Sequence, residues 1–158
     1  MADTSYLRRV VEPYLLNWTG KLLRTQLEPR REYVGESSDG RPVHFAFDGV
    51  SRDGNIGVCV SASTAYKTGQ MRKLFLDATL LNRCPRFRRR IMVFVEKHVW
   101  EGFKNQCDGL VDLCKIEALI CADLPSDMRA KIEQVYQASA REVGDQSGRA
   151  TRTPGKRR

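Results

Sequence analysis

The chain has 158 residues, 41% of them hydrophobic, and a formal net charge of +8. That length supports one well-buried core and excludes two full-sized domains. No apolar run approaches the roughly 18 residues needed to span a bilayer, and the start, Met1-Ala2-Asp3-Thr4, lacks the basic and apolar segments of a secretory leader, so the sequence predicts a cytoplasmic protein with no membrane association.

Apolar residues at Leu7, Val10, Val11, Tyr14, Leu15, Trp18 and Leu22 recur with helical spacing, and Asp3, Thr4 or Ser5 can cap the start. Pro13 interrupts the pattern. Either the helix kinks there, or a short first piece hands over to a second helix with Pro13 in its first turn. Residues 30–36 are predicted as a strand, and Ser37-Ser38-Asp39-Gly40 is turn chemistry leading to a second strand over 42–50. After a turn over 51–55, a third strand covers 56–61. Its alternation of Ile56, Val58 and Val60 against Gly57, Cys59 and Ser61 places Cys59 and Ser61 on one face.

A Gly-containing loop at 65–69 feeds a helix with Thr68 as its expected cap and Met71, Leu74, Phe75, Ala78 and Leu81 facing inwards. Arg83, Arg86, Arg88, Arg89 and Arg90 follow without an intervening acid, a basic patch suited to a polyanion and above all to nucleic acid. Next come a fully apolar strand over 91–95, of the type buried on both faces, a helix over 97–107 with Trp100 and Phe103 inwards, and a strand within 110–120. Leu124-Pro125-Ser126 opens a last helix with Met128, Ile132, Val135, Tyr136 and Val143 on one stripe. From residue 144 onwards Gly, Ser, Thr, Pro and Arg dominate, so 1–143 is read as a single domain and 144–158 as a disordered basic tail.

The five cysteines, Cys59, Cys84, Cys107, Cys114 and Cys121, are odd in number and show no Cys-x-x-Cys spacing, which predicts buried, reduced thiols in place of disulfides or a zinc site. His44 and His98 have no ligand-spaced partner. The element order, αβββαβαβα, predicts an α/β fold with a mixed central sheet of about five strands and helices on both faces.

That order, with His44-Phe45-Ala46-Phe47-Asp48 in one strand and Ile56-Gly57-Val58-Cys59-Val60-Ser61 in the next, resembles the PD-(D/E)XK nuclease superfamily and its restriction-endonuclease-like fold. The resemblance covers residues 1–143 by topology. In that family an Asp near the end of the second core strand is followed on the third by Glu-x-Lys; the carboxylates hold Mg²⁺ and the Lys orients a water or stabilises phosphate charge. Asp48 matches the Asp, Cys59 stands at the Glu position and Ser61 at the Lys position. Both departures weaken the chemistry. A thiol is a poor Mg²⁺ ligand and a serine carries no charge. The resemblance therefore implies that activity needs groups from elsewhere: Lys67 in the following loop, Lys73 and Gln70 on the following helix, and Glu12 on the first helix as a second metal-binding acid beside Asp48.

Three functions follow. The leading expectation is a nuclease-like domain that binds nucleic acid, DNA above all, through Arg83 to Arg90 and the tail, with weakened or lost hydrolysis and no cofactor. The second is a divergent DNA endonuclease using Asp48, a migrated lysine and Mg²⁺. The third is a scaffold subunit whose partner is another protein.

Overall fold

The computed structural model describes residues 4–149. The chain opens with a π-helical turn, Leu7–Val11, that runs directly into helix α1, Glu12–Leu23. Pro13 lies in the first turn of α1, where its missing N–H and its ring would conflict with an α-helical turn before it. The preceding turn is instead wound wider, with the Glu12 amide donating to the Leu7 carbonyl five residues back. Helix continues through the proline by loosening.

Three strands follow: β1 (Leu27–Glu36), β2 (Pro42–Ser51) and β3 (Ile56–Ser61). Helix α2 (Thr68–Arg83) crosses to β4 (Arg89–Phe94), and α3 (Lys97–Cys107) with a 3₁₀ turn at Leu113–Lys115 crosses to β5 (Glu117–Ile120). Helix α4, Ser126–Arg149, ends the described chain. It runs six residues past the boundary expected at Val143, and residues 150–158, most of the expected tail, lie outside the described residues.

The sheet has five strands in sequence order. β1, β2 and β3 pair antiparallel, whereas β3, β4 and β5 pair parallel. The α/β class and the mixed five-stranded sheet are as expected. Period-two alternation builds a core on each face. Cys59, Met92 and Phe94 meet Leu74, Ala78 and Leu81 of α2 and Val99 and Phe103 of α3 on one side. Val58, Val60, Ile91 and Val93 meet Leu7, Val11 and Leu15 at the start of the chain and Ile132 of α4 on the other.

Three local expectations change. Lys67, not Thr68, is the N-cap of α2, and its side chain makes no capping hydrogen bond. Phe75 is exposed, because Leu74, Ala78 and Leu81 complete the inward stripe and leave position 75 at its edge. All five cysteines are free, but Cys114 is exposed in the 3₁₀ turn while the other four are buried.

Candidate functional site

The site begins with an irregularity between β1 and β2. Arg30 pairs with Phe47 while Glu28 pairs with Val50, so β2 carries one extra residue across this step. Such a bulge re-aims the side chains within it. Phe47 and Val50 both reach the α2 side core, and Gly49 between them faces α1. A Cβ on Gly49 would stand 2.7 Å from Leu16 Cδ2, so Leu16 of α1 packs directly over the Gly49 backbone beside Asp48.

Registered pairing between β2 and β3 covers only Gly49 with Val58 and Val50 with Gly57. Beyond it, side chains meet the β3 backbone. Asp48 Oδ2 accepts the Val60 amide at 2.8 Å, and Lys73 Nζ donates to the Val60 carbonyl at 3.3 Å. Lys73 also pairs with Asp77 Oδ2, one helical turn on, at 2.7 Å. Its side chain is half-exposed, whereas that of Asp77 is only 8% exposed.

Glu12 approaches from the start of α1. Burial raises its carboxyl above the ordinary range, the nearby Asp48 charge raises it further, and Lys73 and Arg8 pull it back. Burial also raises Asp77, against the opposing attraction of Lys73. For Lys73, burial works against the charged form, but Asp77 and Asp48 outweigh it and hold the ammonium charged above its usual range. Cys59 lies fully inside; burial, then the charges of Asp77 and Asp48, push its thiol well above the usual range, so it is a neutral core group.

A small cavity of about 170 Å³ opens on this cluster, between the π-helical turn, the end of β3, α2 and α4. Arg8, Glu12, Gln70, Lys73 and Tyr136 line it, with Ser61 at its floor. Ser61 is 4% exposed, and its buried Oγ has no hydrogen-bond partner. The Tyr136 hydroxyl reaches the side chains of Ser63 and Gln70. Asp48 stands behind the cavity wall, on Val60.

The sequence-predicted residues therefore separate. Asp48, Lys73, Glu12 and Gln70 come together with Cys59 and Ser61. Lys67 does not join them and lines a neighbouring cleft of about 410 Å³ with Glu96, His98, Glu133 and Tyr136. The arginine run lies at the opposite end of β3 and β4: Arg89 is in register with Ile56 and Arg90 with Gly57, four or more residues before Ser61, or at least about 13 Å. Much of that run has internal partners. Arg89 forks onto Glu117 at 2.8 and 2.7 Å, Arg90 donates to the Leu81 carbonyl at 3.0 Å, and Arg86 reaches Glu32 at 3.5 Å and the Asp53 carbonyl at 3.3 Å. Arg83 and Arg88 are exposed.

Sequence reasoning missed Asp77, Arg8 and the placement of Tyr136. A signal existed for Asp77, since Gln70, Lys73 and Asp77 fall at i, i+3 and i+7 on one polar stripe of an otherwise apolar helix face. Among the described residues, no group of three or more His, Cys, Asp or Glu side chains is placed to hold a metal ion, and no helix is long and apolar enough to cross a membrane. Comparison with protein-family models, with curated proteins and with solved structures finds no match to this chain.

Proposed function

We propose that this domain is a metal-dependent phosphodiester hydrolase acting on nucleic acid, on the restriction-endonuclease-like plan, in which α2 supplies the charges that β3 lacks. The observation that carries this reading is the contact of Lys73 with the Val60 carbonyl, on the same residue whose amide Asp48 holds. A lysine two residues along β3 would share a face with Asp48; Lys73 brings an ammonium to that place from the helix instead. Asp77 stands in for the missing β3 acid as its ion-pair partner.

The chain's own residues divide the work. Lys73 stabilises charge developing on a phosphoryl oxygen, and Asp77 keeps the ammonium charged and aimed. Glu12, its carboxyl raised by burial, is suited to take a proton from an attacking water. Glu12 and Asp48, whose charges act on one another, are the carboxylates that would hold Mg²⁺, an ion that binds through one or two carboxylates and keeps several waters. Bound there, it would polarise the phosphoryl group.

A second reading is binding without turnover. It is favoured by the same geometry, because Asp48 and Lys73 already complete the sheet at Val60 and are in part committed to structure. Incubation of the purified protein with single- and double-stranded DNA and RNA, with Mg²⁺ or Mn²⁺, separates the two. Cleavage by the wild type that disappears in Asp48→Asn and Lys73→Met supports the hydrolase. Cleavage that survives in both variants would sink it, and salt-sensitive binding with no cleavage favours the second reading.

A further inference from the structure

Resting on the hydrolase reading, we infer that the substrate is a single-stranded nucleic acid end carrying a terminal phosphate, with that phosphate seated in the cavity floored by Ser61. The size of the cavity is the first argument. Its volume of about 170 Å³ is room for a handful of waters at ~30 Å³ each, hence for one tetrahedral oxyanion, and it is below the ~300 Å³ at which pockets hold a whole small molecule.

The lining is the second argument. Arg8 stands at an exposed position on the cavity and Lys73 at its inner side, so two cations converge with the donors Gln70 and Tyr136 on one small volume. Ser61, a residue 4% exposed, lies in the cavity lining, and its buried Oγ has no hydrogen-bond partner among the described residues. Of the acids nearby, Asp77 is paired with Lys73 and Asp48 has one oxygen on the Val60 amide.

Access is the third. The cavity is a recess between the π-helical turn and α4, which a flexible strand end enters more readily than the backbone of a stiff duplex. Tyr136 lines both this recess and the cleft of about 410 Å³ beside Lys67 and His98, so a phosphate in the first places its nucleoside in the second, against the tyrosine ring.

The test is fluorescence anisotropy in EDTA with one labelled DNA sequence, as a single strand ending in 5′-phosphate, 3′-phosphate or hydroxyl and as a blunt duplex, with cleavage products followed in parallel in Mg²⁺. One phosphorylated end is expected to bind about tenfold more tightly than the hydroxyl end, the worth of one charge-assisted hydrogen bond. That preference is expected to fall in Arg8→Gln, an exposed change that spares the core, and in Ser61→Ala. Equal binding of phosphate and hydroxyl ends, or a preference for duplex, overturns the inference; if Asp48-dependent cleavage persists in that case, the hydrolase reading stands without it. Absence of both binding and cleavage overturns the two together.

Discussion

The Asp48 carboxylate accepts the Val60 amide at 2.8 Å, a bond that a neighbouring strand would ordinarily supply. β2 leaves β3 at this point, and the acid both closes the gap and faces the charged cluster. Structure and chemistry are therefore separable at this residue. Asp48→Ala leaves a buried amide unpaired and is expected to cost about 1–3 kcal/mol, whereas Asp48→Asn retains an acceptor oxygen and keeps most of the stability. Both variants are expected to lose hydrolysis. Urea unfolding and a cleavage assay read the two effects; equal destabilisation by Ala and Asn would mean that the carboxylate charge, not the acceptor, holds β3.

Lys73 and Asp77 form a pair with one member half-exposed and the other 8% exposed. Lys73→Met strands a buried carboxylate and is expected to cost about 1–2 kcal/mol, less than for a fully buried pair because solvent reaches the lysine. Lys73→Met combined with Asp77→Asn is expected to recover part of that loss without restoring activity. A double-mutant cycle in urea checks this, and strict additivity would show that the two residues do not depend on each other.

Glu12 offers a dependence on pH. Its folded carboxyl is raised above the ordinary 4.5, by burial first and by Asp48 second. The folded chain thus holds this proton more tightly than the unfolded chain, and its contribution to wild-type stability is lost as pH rises from about 4.5 through the raised value. Glu12→Gln has no such loss. The variant is expected to melt above the wild type at neutral pH, with the gap closing below about pH 4.5, and to be inactive throughout. Paired melting curves from pH 3.5 to 7.5 decide it, and a gap of constant size would exclude titration of Glu12 as its source.

The sheet and its helices were legible because alternation and apolar runs are local: the run from Ile91 to Val95 reads as a strand buried on both faces, and its side chains are buried on both, although β4 itself ends at Phe94. Asp48 was legible for a similar reason, as the acid at the end of the second strand. Lys73 could not be told from Lys67, since that choice depends on the phase of α2 against the sheet, which a packed core sets and a periodic pattern does not. The arginine run is in part tied down within the fold. Its charges cluster in sequence, but Arg86, Arg89 and Arg90 turn towards Glu32, Glu117 and the end carbonyls of α2. The bulge at Asp48 leaves no mark in composition at all.

Gly49 couples fold to site. An added Cβ meets the Leu16 Cδ2 methyl at 2.7 Å and the Leu27 Cβ at 3.3 Å, so Gly49→Ala must re-seat the Leu16 side chain that packs α1 on β2. The expected cost is about 1–3 kcal/mol of overpacking. Because α1 carries Glu12, activity is expected to fall further than stability alone explains. Cleavage measured well below the melting temperature of the variant tests this, and full activity there would show that Glu12 does not depend on the seat of α1.

The two groups of cations make opposite forecasts for salt dependence. Each cation that meets a phosphate releases about one counterion and adds roughly one unit to the slope of log affinity against log salt. Arg8 lines the cavity, with Glu12 as a nearby charge, so Arg8→Gln is expected to lower that slope by about one unit and leave stability almost unchanged. Arg90 donates to the carbonyls of Leu81 and Cys84 at the end of α2. Arg90→Gln is therefore expected to cost about 1 kcal/mol of stability while leaving the slope as it is. Binding titrations over a salt series, with urea unfolding of the same preparations, place both variants on two axes. A lower slope for Arg90→Gln with an unchanged slope for Arg8→Gln would move the polyanion-binding face to the arginine run at the far end of the sheet and away from the cavity.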